Sequence, residues 1–375
     1  MSKEIIWNAP IYDPSGYASC AREYIWALHK LGVTVKIEPV VMWSAIRGAL
    51  TDDQHEFFHS LEQTPVSKAT TKVQHTVPDC YHRDKDFFNR KCNIGYTVFE
   101  TDMFPKSWKV KMDMMNKIFV PTEFNLKTFK HGGFDPNKMV VIPHIVDTEK
   151  MNPEKYEPMK IKPEKEFYFL SIMDFTKRKG WDILLKAYLR EFKNNRNVGL
   201  ILKAYYGGNT EVHRNNLMKR IQDFKNSLQI HNPPDIIFFG HILTEIELYS
   251  LYKSAHAFVY PSRGEGWGLC ISEAMAMEVP VIVTNWSGHL DFCKPDNSYL
   301  IDVLGFEETD EEMIRITPNY EGQKWATPSE EHLRKLMRQV YEHHSDAKAR
   351  AKLGRQYLKD NFGWKLIGEK IIEHI

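Results

Sequence analysis

Short apolar runs alternate with glycine-containing loops and with segments of helical period along most of the chain. The pattern is clearest at residues 257–285, where the apolar run Ala257–Tyr260 is typical of a buried strand. A glycine-rich loop follows, and a helical segment begins near Leu269 and ends before Pro280. The apolar run 281–283 predicts another strand. This order of strand, loop, helix and strand is typical of a parallel α/β sheet.

The same alternation predicts most of the other elements. Residues 4–7 form the first predicted strand, a turn at 13–16 leads into a helix from Tyr17 to Leu31, and a strand follows over 33–41. Further strands are predicted at 71–75, 93–100, 117–122, 139–143, 167–173, 198–204, 236–240 and 299–301, and short helices at 43–50 and 55–61.

The domain organisation follows from length and from one irregular stretch. A chain of 375 residues is long for one hydrophobic core and natural for two domains. Residues 149–165 are rich in Lys, Glu and Pro and have neither helical nor strand period, so they predict a linker. We therefore expect an α/β protein with two doubly wound, Rossmann-like domains, 1–155 and 156–361, that face each other across a cleft.

The loop 264–268, GEGWG, carries the clearest chemistry. Its spacing is neither the GxGxxG of a dinucleotide-binding fold nor a P-loop. Amide groups at the start of the following helix attract phosphate. Glu265 would repel a phosphate beside it and suits neutral hydroxyls instead, as does Glu273 eight residues later. Two carboxylates that accept hydrogen bonds from hydroxyls and flank a phosphate site indicate a nucleotide sugar. An ordinary βαβ unit with a solvated Glu265 remains the alternative.

Composition excludes several classes of function. Lys and Arg number 50 and Asp and Glu 49, so a net charge of +1 favours neither nucleic acid nor an anionic membrane as a partner. Five cysteines without a CxxC pair indicate a reducing compartment, and we expect a cytoplasmic protein. No signal peptide and no run near the ~20 apolar residues of a membrane span is visible. Peripheral contact with a membrane stays open.

Two sets of residues are candidate metal ligands. The spacing of His75, Cys80, His82 and Cys92 matches no usual zinc pattern. The triplet DKD at 84–86 has the form of a DxD motif but lies in a charged run, HRDKD, with no apolar strand leading into it. We predict no metal at either place.

The stretch PSRGEGWGLCISEAMAMEVPVIVTN resembles the donor-site signature of retaining glycosyltransferases of family 4, which have the GT-B fold. The resemblance rests on the Glu-x7-Glu spacing, on GWGL and on EAMA followed by PVI. It implies metal-independent, cofactor-free transfer of a hexosyl group, with retention, from a nucleotide diphosphate sugar of the GDP-mannose or UDP-glucose type. The acceptor would be a hydroxyl of a glycan or of a lipid- or protein-linked group, and the helix 362–375 would pack back on the N-terminal domain.

The resemblance also assigns residues. The implied catalytic residues are Lys179, Arg178, Glu265 and Glu100, and the implied donor-binding residues are Gly16, Ile242, Gly266, Trp267, Gly268, Leu269 and Glu273. Two positions depart from the family pattern. Gly16 stands alone where the family commonly has two glycines, and Asp174 stands where it usually has an arginine, so we expect Arg178 to supply the missing cation.

Three other functions compete with this interpretation. A sugar phosphorylase or a nucleotide-sugar epimerase would use the same fold, and a non-catalytic protein would bind the nucleotide sugar without turning it over. A dinucleotide oxidoreductase is poorly supported, because both glycine loops miss its fingerprint. The sequence names neither the sugar, the base nor the acceptor.

Overall fold

The computed structural model describes residues 3–41, 50–67, 70–208 and 210–375. Of the predicted helix 43–50, all but Leu50 lies outside the described residues. Contacts divide the chain into two compact units, Met1–Asp147 with Asp360–Ile375, and Thr148–Lys359. The sequence predicted these divisions after residues 155 and 361.

The first unit is built on six strands in the order β2-β1-β3-β4-β5-β6, and every neighbouring pair is parallel. α-Helices lie between most successive strands, and two short 3-10 turns, Pro78–Cys80 and Phe87–Asn89, lie between β3 and β4. The strands are β1 (Glu4–Pro10), β2 (Thr34–Val40), β3 (Thr71–His75), β4 (Asn93–Tyr96), β5 (Lys117–Val120) and β6 (Met139–Val141), and the helices are α1 (Gly16–Lys30), α2 (Asp52–Glu62), α3 (Lys109–Asp113) and α4 (Glu123–His131).

The second unit has the same plan, with six parallel strands in the order β12-β11-β10-β7-β8-β9. Its sheet strands are β7 (Phe167–Asp174), β8 (Val198–Tyr205), β9 (Asp235–Phe239), β10 (Ala257–Tyr260), β11 (Val281–Thr284) and β12 (Tyr299–Ile301). Its helices are α5 (Trp181–Glu191), α6 (Glu211–Ser227), α7 (Glu245–Ser254), α8 (Leu269–Ala276), α9 (Glu311–Ile316), α10 (Glu330–Glu342) and α11 (His344–Asn361). The central strands β10 and β11 are buried along their whole length, which explains their uninterrupted apolar sequences.

A two-stranded antiparallel sheet, β13 (Val303–Glu308) with β14 (Lys324–Pro328), adds to the second unit. Its strands are connected through α9, and we call this sheet the hairpin. Neither strand was predicted. β13 alternates half-buried and exposed residues and ends in two glutamates, so it lacks the apolar run by which the other strands were recognised.

The last helix, α12 (Trp364–His374), belongs to the first unit. Ile367 and Ile371 lie in its hydrophobic core with residues of α1 and β1. A Cβ on Gly368 would lie 2.6 Å from Leu31 Cδ1, so a glycine allows the close approach to α1. Helix α1 is capped by Ser15, whose hydroxyl accepts a hydrogen bond from the amide of Ala18 at 3.1 Å.

The order of strands decides where chemistry can occur in the second unit. β7 and β10 are neighbours although about ninety residues separate them in sequence. The carboxyl ends of parallel strands meet at one edge of the sheet, where open α/β folds bind ligands. The loop after β7 and the loop after β10 therefore lie side by side.

Candidate active site

The loops after β7 and β10 touch through a glycine. The first loop forms a short 3-10 turn, Lys177–Lys179, and ends at Gly180, whose φ of 73° is in the left-handed region. A Cβ at this position would lie 1.9 Å from the carbonyl oxygen of Pro261 in the second loop. Only glycine satisfies both requirements, so Gly180 holds the two loops in contact.

Three predicted catalytic side chains meet at one oxygen atom. Lys179 Nζ donates to Glu265 Oε1 at 2.7 Å, and Arg178 Nη1 donates to the same oxygen at 3.2 Å. Arg178 Nη1 also donates to the carbonyl oxygen of Gly264 at 2.8 Å. Burial acts to raise the pKa of Glu265, but the charges of Lys179 and Arg178 outweigh it and hold the pKa below its usual value. The carboxylate is therefore ionised at neutral pH and paired with two cations.

The backbone of Glu265 is held by a polar relay that sequence analysis missed. Its amide donates to Ser287 Oγ at 3.0 Å, and its carbonyl oxygen accepts from the amide of Gly288 at 2.8 Å. His289 Nε2 donates to the carbonyl oxygen of Thr284 at 2.6 Å, so Nδ1 is the acceptor that faces the Ser287 hydroxyl at 3.3 Å. Burial lowers the pKa of His289 and keeps the ring neutral.

Ser287 has a φ of 91°, an unusual value for a residue with a side chain and one that costs about 1–3 kcal/mol. The surrounding hydrogen bonds stabilise it in this conformation. Backbone contacts leave no pattern in the sequence, and the only signal here was a polar run after β11.

Gly266, Trp267 and Gly268 lead into α8, which begins at Leu269. Gly268 has a φ of 93° and stands at the N-cap position, so the turn into the helix needs a glycine. The indole of Trp267 is buried, donates from Nε1 to Ser272 Oγ at 3.2 Å and packs on Phe292. Its side chain thus anchors the loop to α8, and the loop presents backbone at the helix start.

Glu273 lies on the second turn of α8 in a different environment from Glu265. Its Oε2 accepts from the Tyr252 hydroxyl at 2.8 Å. Burial raises the pKa of Glu273 to about 7. The two glutamates of the Glu-x7-Glu pair therefore differ in charge near neutral pH, since Glu265 is ionised and Glu273 is half-protonated.

Asp174 lies at the end of β7, opposite Tyr205 of β8 in the parallel register. Burial raises the pKa of Asp174, while the charges of Lys179 and Arg178 act against that rise. Burial and the charge of Asp174 raise the pKa of Tyr205 to about 12. Asp174 and Tyr205 thus belong to the same polar edge, and sequence analysis did not single out Tyr205.

Ile242 lies just after β9, with its side chain 54% exposed. Next to it, a shallow depression of about 270 Å³ is lined by the first half of α6 and by Gly240 and His241. This depression lies at the carboxyl end of the sheet, as does the glutamate loop.

Gly16 and Glu100 lie in the first unit. Gly16 is the first residue of α1, and Glu100 lies four residues beyond the end of β4, which stops at Tyr96 rather than continuing to residue 100 as predicted. The hydroxyl of Tyr17 lies 3.2 Å from Thr97 Oγ1 and accepts from the amide of Val98 at 3.3 Å. Burial raises the pKa of Tyr17, and the nearby charge of Glu100 adds to the rise.

Among the residues that the structure describes, no three His, Cys, Asp or Glu side chains are grouped to hold a metal ion. Asp84 of the DxD triplet is engaged otherwise. Its Oδ2 accepts from Arg90 Nη2 at 2.8 Å and from Lys72 Nζ at 2.7 Å. In the same described part of the chain, every helix is too short or too polar to cross a membrane.

Residues 153–316 match a family model described as Glycosyl transferases group 1. The chain is 36% identical over 69 residues to the capsular polysaccharide biosynthesis glycosyltransferase CapM of Staphylococcus aureus, covering 18% of this chain and 17% of that protein. It is 24% identical over 218 residues to the alpha-1,3/1,6-mannosyltransferase ALG2 of Homo sapiens, covering 54% of this chain and 50% of that protein. The chain thus matches half or less of the length of these two relatives.

Similar solved structures cover nearly the whole chain. HepE of Anabaena, crystallised with UDP and glucose, superposes with a TM-score of 0.66 at 12% identity over 99% of both chains. Sucrose-phosphate synthase of Thermosynechococcus elongatus gives a TM-score of 0.63 at 15% identity over 99% of this chain and 98% of that one. The two six-stranded parallel sheets and these similarities show the fold of GT-B glycosyltransferases, as predicted.

Proposed function

We propose that this protein is a retaining glycosyltransferase of family 4 that transfers a hexosyl group from a nucleotide diphosphate sugar to a hydroxyl of a glycan or of a lipid- or protein-linked acceptor. The observation that carries the proposal is the meeting of Lys179 and Arg178 at one oxygen of Glu265 beside the start of α8. The match of residues 153–316 to a glycosyltransferase family model supports it.

The chemistry requires stabilisation of negative charge on the leaving diphosphate. Cations and backbone amides stabilise this charge best when they are in place before the bond breaks. The ammonium of Lys179 has three donors and uses one for Glu265, so it can also bind a phosphate oxygen. Arg178 adds a second positive charge. It replaces the charge of the arginine that is usual in the family at the position of Asp174. These groups perform the task without a metal or a cofactor.

The two glutamates take different hydroxyls. Glu265, next to the cations, accepts from the hexose, and its pairing with Lys179 and Arg178 keeps it ionised for that contact. Glu273, one turn into α8, accepts from the ribose. The sequence indicates no carboxylate as a nucleophile. We therefore propose that the departing phosphate oxygen takes the proton of the acceptor hydroxyl on the same face of the sugar, which retains the anomeric configuration.

A screen of UDP- and GDP-sugars tests the proposal. We expect slow hydrolysis of one donor with no added acceptor and with EDTA present, and faster consumption with a glycan acceptor. The released or transferred sugar should keep its anomeric configuration by NMR. A product with inverted configuration would refute retention, and a phosphate-dependent reaction would favour a sugar phosphorylase.

A nucleotide-sugar epimerase would give a changed sugar still attached to the nucleotide. Tight donor binding by calorimetry with neither hydrolysis nor transfer would favour a non-catalytic binding protein. Lys179→Met serves as the control in each assay, because it removes one cation and keeps a side chain of similar length.

A further inference from the structure

Arg263, the residue before the glycine-rich loop, is 4% exposed, and its guanidinium donates four hydrogen bonds within the protein. Its Nη1 donates to the carbonyl oxygen of Lys177 at 2.6 Å and to Asp182 Oδ1 at 2.8 Å. Nη2 donates to Asp182 Oδ2 at 2.9 Å, and Nε donates to Glu307 Oε1 at 3.0 Å. A guanidinium has five N–H groups, so these four bonds leave little capacity for a ligand.

The backbone of Arg263 adds two more bonds. Its amide donates to the carbonyl oxygen of Arg178 at 2.7 Å, and its carbonyl oxygen accepts from the amide of Ala326 on β14 at 3.0 Å. Residue 263 therefore binds the carbonyl oxygens of residues 177 and 178, one through its side chain and one through its backbone. These are the two residues that precede Lys179.

The acidic partners of Arg263 come from elements on either side of the loop. Asp182 is in the first turn of α5, two residues after Gly180. Glu307 is on β13, where it also accepts from Trp325 Nε1 at 3.2 Å. A second ion pair, between Lys177 and Asp310 at 3.4 Å, joins the same turn to the segment after β13. The unpredicted hairpin thus provides a fixed support for the turn Lys177–Lys179.

We propose that Arg263, supported by the hairpin through Glu307, is a positioning residue that holds the turn Lys177–Lys179 so that Lys179 and Arg178 face the donor diphosphate. The proposal rests on the function proposed above. Cations stabilise a transition state only when they are held close to the productive geometry, and residues behind the contact layer provide that hold. Arg263 acts through Lys179 and Arg178 and does not itself contact the substrate.

A double-mutant cycle separates positioning from general destabilisation. We expect Arg263→Met to lower kcat/KM roughly 10- to 100-fold in the native background, the scale of a misplaced catalytic group. In the Lys179→Met background the same change should cost less, at most about 3-fold, because only Arg178 remains of the two cations that it positions. Equal costs in the two backgrounds would overturn the proposal.

Arg338→Met is the matched control. Arg338 also binds a half-buried carboxylate in the second unit, since its Nε donates to Glu191 Oε1 at 2.8 Å. It lies on α10 and contacts the end of α5 away from the turn. We expect it to change kcat/KM by less than about 3-fold, equally in both backgrounds. A coupling with Lys179→Met as large as that of Arg263 would also overturn the proposal.

Hydrogen exchange in the protein without ligand gives a readout that does not depend on activity. The amide of Lys179 donates to the carbonyl oxygen of Thr176, and the amide of Gly180 to that of Lys177. We expect faster exchange at 176–182 in Arg263→Met, with exchange in the first unit unchanged. Unchanged exchange at 176–182 would refute the proposal that Arg263 stabilises the turn Lys177–Lys179, whether or not the protein transfers a sugar.

Glu307→Met covers the case in which Arg263→Met does not fold. Its side chain is 40% exposed, so the fold should tolerate the change. We expect the same coupling with Lys179→Met at about 3- to 10-fold. No coupling in this variant would exclude the hairpin from the positioning role. If the native protein neither binds nor hydrolyses any nucleotide sugar, the proposed function fails, and the exchange experiment still tests Arg263.

Discussion

The half-protonated state of Glu273 makes donor binding depend on pH in a calculable way. With a pKa of about 7, this carboxyl is about one-tenth ionised at pH 6 and about nine-tenths ionised at pH 8. If the ribose hydroxyls donate to the carboxylate, only the ionised form binds the ribose well. Affinity should then rise about 10-fold between pH 6 and pH 8, which is about 1.4 kcal/mol.

The direction of this pH dependence follows from the linkage between ligand binding and proton binding. A ligand that binds the ionised form lowers the pKa of Glu273, so binding releases a proton and strengthens as pH rises. Calorimetric titration of the intact nucleotide sugar at several pH values measures this. The intact sugar conjugate is the right probe because its diphosphate has no group that titrates near neutrality, whereas a terminal phosphate does.

Glu273→Gln provides the control, since it keeps the size and removes the titration. Its affinity should be weaker at pH 8 and nearly constant across the range. A native protein whose affinity does not change between pH 6 and pH 8 would refute the reasoning, and so would a Gln variant with the same pH profile as the native protein.

Four other predictions concern the same unit. Lys179→Met should lower kcat/KM by roughly 30- to 1,000-fold, about 2–4 kcal/mol for one preorganised cation, and near-normal steady-state kinetics would remove Lys179 from the site. Glu265→Gln should leave binding of the free nucleoside diphosphate nearly unchanged while slowing transfer, whereas Glu273→Gln should weaken both; equal weakening by titration would contradict the assignment of hexose and ribose. EDTA should leave activity intact, and a strict requirement for Mn²⁺ or Mg²⁺ would overturn the metal-free mechanism. Gly180→Ala should lower the free energy of unfolding by about 2 kcal/mol or more because of its positive φ and its contact with the neighbouring loop, while Gly305→Ala, where an added Cβ meets nothing within 4 Å, should be nearly neutral in denaturant unfolding.

The predicted elements that the structure reproduced best were the buried strands. β7, β8, β10 and β11 have apolar sequences because parallel strands covered on both faces need them, so local sequence was sufficient evidence. The hairpin of β13 and β14 was missed for the opposite reason. Its exposed positions carry apolar side chains such as Leu304 and Phe306, and its half-buried positions include a glutamate, so neither face shows a consistent pattern.

Local sequence was enough to predict the chemical groups of the loop 264–268: glycines that expose backbone, a carboxylate within it and a second one eight residues later. These features lie close together in the chain, and a local pattern records them. It also determined the α/β class, because the strands alternate with helices at short range.

Which cations meet that carboxylate depends on the order of strands in the folded sheet. Lys179 and Glu265 are 86 positions apart and come together because β7 and β10 are neighbours in the sheet. The bonds of Arg263 to the carbonyl oxygens of residues 177 and 178, and of Ser287 to the amide of Glu265, likewise depended on the fold. Every residue offers the same backbone groups, so a bond to the main chain leaves no mark on the sequence of its partner.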